Sequence, residues 1–122
     1  MLTVKENLIS ILETYCPDNV FLQGTINPDV AYPNTFITFF ITDSEFDAFY
    51  DNDANKIDWS IAVMIYSTNP NTIDTIAKGV IKDCKAAGFI PQNAGTDLPS
   101  DVDTHTGWAI DFVYPQTITI NN

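Results

Sequence analysis

The sequence predicts one α+β domain in which a mainly antiparallel β-sheet packs against two α-helices. Two segments repeat apolar residues at helical spacing, and several others alternate apolar and polar residues as strands do. Each predicted helix has one apolar stripe, so both stripes need a shared sheet to cover. With 122 residues the chain has room for a single hydrophobic core, and we expect residues 1–122 to form one domain.

The first helix is predicted over residues 3–15, where apolar side chains recur at helical spacing. Thr3 and Glu6 have the spacing of a capping box, and Pro17 is expected to end the helix. A short strand follows over residues 20–26, before turn residues that include Pro28.

Two longer strands are predicted in the middle of the chain. Residues 35–42 are nearly continuous in apolar side chains, so we expect both faces of this strand to be at least partly covered. Residues 57–66 form the clearest strand, which we expect at the centre of the sheet with Trp59 in the core. The segment 43–56 between them mixes carboxylates with aromatic side chains, and it is either a hairpin arm or a long loop.

A second helix is predicted over residues 70–87. Asn69 can cap its start, Pro70 suits its first turn, and Gly88 suits the left-handed position after its end. We expect its apolar stripe to pack against the sheet; the stripe consists of Ile73, Ile76, Ala77, Val80, Ile81 and Cys84.

The rest of the chain is expected to add strands to the sheet. Residues 89–91 can start a strand, residues 92–106 indicate a polar loop, and residues 108–114 alternate as a last long strand. Residues 117–120 are either a fifth strand or a free C-terminal arm.

The charge balance excludes most nucleic-acid-binding proteins. Asp and Glu total 16, Lys and Arg total 5, and the formal net charge is −11. The five cations are all lysines, so the chain lacks the arginine fork that grips phosphates. Such a surface either serves solubility alone or faces DNA without binding it. The chain has no apolar run long enough for a transmembrane helix and no signal-peptide pattern at its start, so we expect a cytosolic protein without a membrane partner.

The candidate chemical motifs are weak. Residues 51–56 begin like a calcium loop, but Lys56 replaces the required glycine and Ala62 the final carboxylate. Asp101, Asp103 and His105 alternate and can bind a metal or act in acid–base chemistry, or they form a solvated loop in which the histidine bonds locally. Since no nucleophile or phosphate-binding motif is present, we predict no catalytic residue, no metal and no cofactor.

The two cysteines, Cys16 and Cys84, lie near the ends of the predicted helices. They are either buried thiols, as is common in cytosolic proteins, or a disulfide that joins the helices. Zinc binding is not expected, because the chain has no Cys-x-x-Cys spacing and only one histidine.

Two oppositely charged groups suggest an interface. Lys78, Lys82 and Lys85 share one face of the second helix, which we call the lysine stripe. The segment 43–56, which we call the acidic arm, carries the carboxylates of Glu45, Asp47, Asp51 and Asp53. The stripe is either a solvated helix face or a contact for the acidic arm of a neighbouring copy, and such a head-to-tail contact closes into a ring if the rotation permits.

The order of several short motifs resembles small neck proteins of tailed phages and prophages, in the tail terminator, tail-completion or head–tail joining class. The motifs are Tyr32-Pro33, Thr35-Phe36-Ile37-Thr38-Phe39, Phe49-Tyr50-Asp51-Asn52, Trp59, Tyr66-Ser67, Asn69-Pro70, Gly88-Phe89 and His105-Thr106-Gly107-Trp108. The resemblance implies an α+β subunit that forms a hexameric ring on the tail tube and joins tail to head. It also implies that DNA passes through the ring without specific binding, and it supplies no catalytic residues.

The partners implied by this resemblance are other copies of the chain, the tail tube protein and a head-completion or neck protein. The implied locations are the host cytoplasm during assembly and the neck of the finished virion. The alternative is an acidic DNA-mimic inhibitor of a DNA-binding enzyme, which needs carboxylates spaced regularly over one face. A third hypothesis is a small hydrolase or metal-binding enzyme that uses Asp101, Asp103 and His105.

Overall fold

Three long antiparallel strands form the centre of the molecule. In the computed structural model, which describes residues 3–22, 33–47, 54–98 and 104–119, these strands are β2 (Thr35–Asp47), β3 (Ala54–Ser67) and β6 (Thr106–Thr119). The sheet has six strands in the order β1-β2-β3-β6-β4, and β5 also pairs with β6. The central position predicted for residues 57–66 is therefore confirmed, within a longer strand.

Three short strands complete the sheet at its edges. β1 (Val20–Leu22) runs parallel to β2, whereas β4 (Ile90–Pro91) and β5 (Thr96–Leu98) run antiparallel to β6. The sheet is thus mainly antiparallel, and the predicted α+β class is confirmed. β5 lies within the segment that the sequence indicates as a polar loop.

The expectation of a separate strand or a free arm over residues 117–120 is wrong. Residues 117–119 continue β6 and pair with residues 54–56 of β3. Pro115 lies within this strand, opposite Asp58. A strand tolerates proline where the missing N–H faces an edge without a partner strand, and among the described residues no strand pairs with β6 on its outer side beyond Val113.

The two helices are α1 (Val4–Glu13) and α2 (Pro70–Ala86). The predicted capping box is present, since the Thr3 hydroxyl accepts the Glu6 amide N–H at 3.1 Å and the Glu6 carboxylate accepts the Thr3 amide N–H at 3.3 Å. Asn69 caps α2 through a 3.0 Å bond from the Asn71 amide, and Gly88 adopts the expected positive φ of 98°.

Both helices pack on the same face of the sheet and build one hydrophobic core with it. The strand residues of this helix-covered face alternate along β2, β3 and β6. The largest fully buried side chains are Phe39, Phe89, Phe112, Leu8, Leu12, Ile37, Ile61, Ile65, Ile110, Val63, Val80 and Cys84. The predicted stripe of α2 packs into this core, with Ile81 at its partly buried margin.

The reverse face of the sheet is also covered near its middle. Phe36, Thr38, Ala62 and Met64 are buried there, and the Phe36 ring stacks on Tyr66 with centroids 4.9 Å apart. The prediction that both faces of β2 are at least partly covered is confirmed.

The segment 43–56 forms a hairpin arm in its described part, and not a long loop. β2 continues to Asp47 and β3 begins at Ala54, so the two strands extend the sheet beyond the helices. The arm is bordered by a β-bulge: Ile41 pairs with Ile61, but Asp43 pairs with Ser60. The extra residue shifts the side-chain alternation of β2 by one position.

Candidate functional site

The lysine stripe lies on the outer face of α2, away from the core. Lys78, Lys82 and Lys85 are all exposed. Lys78 forms a salt bridge of 3.1 Å with Asp74 one turn earlier, and both of these side chains remain largely exposed, at 77% and 67%. Lys82 and Lys85 form no salt bridge with any residue that the structure describes, so their charges are available to a partner.

The acidic arm projects its described carboxylates from the reverse face of the sheet. Glu45 is exposed and pairs with Asp58 of β3. Asp58 lies on the reverse face of the sheet, because the residues on either side of it in β3 lie on the helix-covered face. Asp47 pairs with Lys56 in the strand register, and Lys56 approaches Asp58 at 3.7 Å. The other two predicted arm residues, Asp51 and Asp53, lie outside the described residues.

The β-bulge decides which face carries these carboxylates. Ile37, Phe39 and Ile41 alternate toward the helices, and an uninterrupted strand would turn Asp43 and Glu45 toward that side as well. Because the bulge adds one residue, both carboxylates lie on the reverse face. The lysine stripe and the acidic arm therefore face opposite sides of the molecule.

A groove runs beside α2, at the end of the sheet where β3 ends and β6 begins. Its volume is about 510 Å³. One wall is the apolar ridge of Ile73, Ala77 and Ile81, which recur every fourth residue of α2, and Lys78 and Asp74 lie at its rim. The groove and the lysine stripe are thus adjacent surfaces that share Lys78.

The opposite wall of the groove is built around Trp108 of β6. Its indole N–H donates to the Ala94 carbonyl oxygen at 3.1 Å. The indole lies directly against Gly95, where a Cβ would come within 1.8 Å of the ring nitrogen. Gly95 also has a positive φ of 114°, so glycine is required there on two grounds. Asp97 of β5 adds a carboxylate to this wall.

The side chain of His105 is buried and lies within hydrogen-bonding distance of two neighbouring groups. It is 8% exposed, its Nε2 lies 2.8 Å from the Pro33 carbonyl oxygen, and its Nδ1 lies 3.0 Å from the Thr104 hydroxyl. The ring therefore links the start of β6 to the segment before β2. Asp101 and Asp103 lie outside the described residues. Among the residues that the structure describes, no group of three or more His, Cys, Asp or Glu side chains could hold a metal ion.

Several residues of the motifs quoted above converge at this end of the sheet. Tyr66 lies over Gly107, its cross-strand partner, where an added Cβ would come within 3.0 Å of the tyrosine ring. The Phe36 ring contacts both Tyr66 and His105, with centroids 4.9 and 5.7 Å apart. Gly107 is thus explained by packing, since aromatic side chains commonly cover cross-strand glycines.

Both cysteines are buried, as the first of the two interpretations predicts. Burial raises the pKa of the Cys16 thiol, and it raises the pKa of Cys84 to about 12. A buried thiol with a raised pKa is a poor nucleophile, so neither side chain is suited to thiolate chemistry.

No protein-family model matches the chain, and no curated protein matches it significantly. No helix among the described residues is both long enough and apolar enough to cross a membrane.

Proposed function

We propose that this chain is a structural subunit of a phage or prophage that caps the tail tube as a ring and joins the tail to the head. The observation that carries the proposal is the placement of two oppositely charged surfaces on opposite faces of one α+β subunit. Each copy can give its acidic arm to one neighbour and its lysine stripe to another, which is the geometry of head-to-tail association.

This arrangement favours a ring over a two-fold dimer. In a two-fold dimer the lysine stripe and the acidic arm of each copy would have to meet the same partner at once. Surfaces that face opposite sides of a sheet cannot both do so. Exposed ion pairs are individually weak, so the contact sets the register of neighbouring copies: isolated copies associate weakly, and the complete ring forms at the tail end.

The negative charge of the chain supports passage of DNA through such a ring. A net charge of −11 repels the phosphate backbone, so DNA can slide past without being held. The ring is built from copies of this chain, six in the class that the motifs resemble, and its other contacts are with the tail tube protein and a neck protein of the head.

The test is a complementation assay that scores joining of tails to heads by electron microscopy and by the yield of infectious particles. The variant with Lys78→Glu, Lys82→Glu and Lys85→Glu should fold but block joining. Changing Glu45 and Asp47 to lysine in the same molecule should partly restore it. Normal particle yield from the triple variant would show that the stripe is only a solvated helix face.

A further inference from the structure

The groove beside α2 and the two residues that flank the tip of the acidic arm, Asp47 and Ala54, lie at opposite ends of the same sheet. The groove is lined by Thr106, Gly107 and Trp108, which pair with residues 65–67 at the end of β3. The tip of the arm follows Asp47 and precedes Ala54, where β3 begins. A strand that runs from residue 54 to residue 65 spans about 36 Å.

The segment that joins the two arm strands is too short to cross this distance. It consists of six residues, 48–53, with the sequence Ala-Phe-Tyr-Asp-Asn-Asp. Six fully extended residues span about 20 Å, and this segment must also return to Ala54. The tip of an arm therefore cannot reach the groove of its own chain.

We infer that the groove beside α2 binds residues 48–53 of a second copy of this chain, with Phe49 and Tyr50 as the anchoring side chains. The inference rests on the proposed ring and names the contact between its neighbours. A cavity of about 510 Å³ falls within the roughly 300–1,000 Å³ of ligand pockets. Ile81 on α2 and the indole of Trp108 are partly exposed in the groove and suit aromatic rings, and the buried side chains of Ile73 and Ala77 lie beneath them.

The charges that follow the two aromatic residues are complementary to the lysine stripe next to the groove. Asp51 and Asp53 directly follow Tyr50, and the lysine stripe continues the rim from Lys78. The carboxylate of Asp74 is already paired with Lys78. Asp97, on the opposite wall, can accept a hydrogen bond from the hydroxyl of Tyr50. The salt bridge leaves Lys78 and Asp74 without net charge, so the attraction for an acidic segment comes from Lys82 and Lys85, which form no salt bridge with any described residue.

The contact joins two different surfaces, so it repeats from copy to copy and forms either a closed ring or an open filament. It also gives the lysine stripe a specific role. The lysines attract the acidic arm, and the groove fixes the register through its aromatic anchors.

Site-directed cross-linking between two single-substitution variants tests the contact. One variant carries Asn52→Cys, which leaves Phe49 and Tyr50 in place. The other carries Ala94→Cys on the exposed wall of the groove. Cys16 and Cys84 are 4% and 0% exposed, so a bismaleimide reagent reacts with the introduced thiols.

The expected result is a covalent dimer from the mixture of the two variants. A matched mixture of Asn52→Cys with Glu13→Cys, an exposed position on α1, should give little product. A chain that carries both Asn52→Cys and Ala94→Cys should form multimers, with no cross-link within one monomer. Adding Phe49→Ser and Tyr50→Ser to the Asn52→Cys variant should remove most of the dimer.

Three results would overturn the inference. They are equal yields with Ala94→Cys and Glu13→Cys, a cross-link within one monomer, and an absence of dimer at concentrations where the wild type self-associates. Equal cross-linking after Phe49→Ser and Tyr50→Ser would reject the aromatic anchors. The groove would then be open to another protein, which a pull-down from infected cells would identify.

The same variants separate this contact from the proposed function. Specific cross-linking by a protein that never joins tails to heads would keep the contact and reject the tail-end role. Normal tail joining by a groove-filling Asp97→Trp variant, which no longer cross-links to Asn52→Cys when it also carries Ala94→Cys, would keep the role and reject the contact as the joint between ring neighbours. Thermal unfolding of Asp97→Trp confirms that the exposed substitution leaves the fold intact.

Discussion

The helix-covered half of the sheet and the acidic arm share the strands β2 and β3, yet they differ in what the side chains contact. Ile61 and Val63 of β3 lie under the helices and are 1% and 0% exposed. Ile57 and Trp59, earlier on the same face of the same strand, are only half-buried. The alternation of apolar side chains along a strand thus shows which face is apolar, but the extent of the helices determines how much of that face is buried in the core. The part beyond them stays partly open to solvent, and the proposed ring uses it for contacts between neighbouring copies.

The largest expected effect comes from a matched pair of substitutions on β3. Ile61→Ala should lower the free energy of unfolding by about 2–5 kcal/mol, because it leaves a cavity under the helices. Ile57→Ala removes the same atoms four residues away and should cost about 1 kcal/mol, since this end of β3, next to the arm, is partly open to solvent. Urea unfolding of the two variants measures the difference. Equal costs would mean that this end of the sheet is as well covered as the part under the helices.

Trp59 lies at the border between the two regions, and its substitution should have an intermediate effect. The sequence predicts Trp59 in the core, whereas the side chain is half-buried and its indole N–H donates to the Gln116 side-chain oxygen at 2.9 Å. We expect Trp59→Ala to cost about 2–3 kcal/mol, less than full burial would give. Gln116→Leu should cost about 1 kcal/mol by leaving the indole N–H without this acceptor.

A double-substitution cycle checks the assignment. If Trp59 and Gln116 interact as described, the double variant should cost less than the sum of the two single variants. Strict additivity in urea unfolding would show that the hydrogen bond contributes nothing in solution.

The smallest expected effect concerns the contact between the two helices that define the covered half. The Tyr15 hydroxyl donates to the Asp83 carboxylate, and its ring lies against Gly79 of α2. The hydrogen bond to Asp83, together with burial, raises the pKa of Tyr15 to about 12. The unfolded value is about 10, so the contact stabilises the fold fully below that pH and is lost as the pH rises through 12.

Tyr15→Phe provides the control for this pH dependence. It should cost about 1 kcal/mol at neutral pH, and between pH 10 and 12 its stability should fall less than that of the wild type. Thermal unfolding over this range measures both. An identical decline in the two proteins would show that the Tyr15–Asp83 bond does not form in solution.

The local features of the fold followed from the sequence because short-range chemistry determines them. The capping box at Thr3, the Asn69 cap and the left-handed Gly88 each depend on residues within a few positions. The central strand was predictable from its long apolar alternation. The burial of Cys84 followed from its place in the apolar stripe of α2, and that of Cys16 from the general tendency of free cysteines to be buried.

The features that escaped prediction depend on how distant segments meet. Nothing in the residues around Thr42 indicates that a bulge turns Asp43 and Glu45 to the reverse face. For the same reason, the sequence did not indicate that Asp58 lies beside Glu45 on the reverse face. The groove needs α2 and β6 side by side, and its residues Ile81, Asp97 and Trp108 are far apart in the chain. The lysine stripe was predictable, because helical spacing alone places it.

A charge-swap mixture measured by native mass spectrometry tests head-to-tail assembly most directly. One variant carries Lys78→Glu, Lys82→Glu and Lys85→Glu, and the other carries Glu45→Lys, Asp47→Lys, Asp51→Lys and Asp53→Lys. Each variant alone presents like charges at the contact and should stay monomeric where the wild type associates. Their equimolar mixture should form oligomers with equal numbers of both chains, because each stripe then meets an opposite arm. Assembly of the triple lysine variant alone to the same extent as the wild type, or a mixture that stays monomeric, would contradict the account.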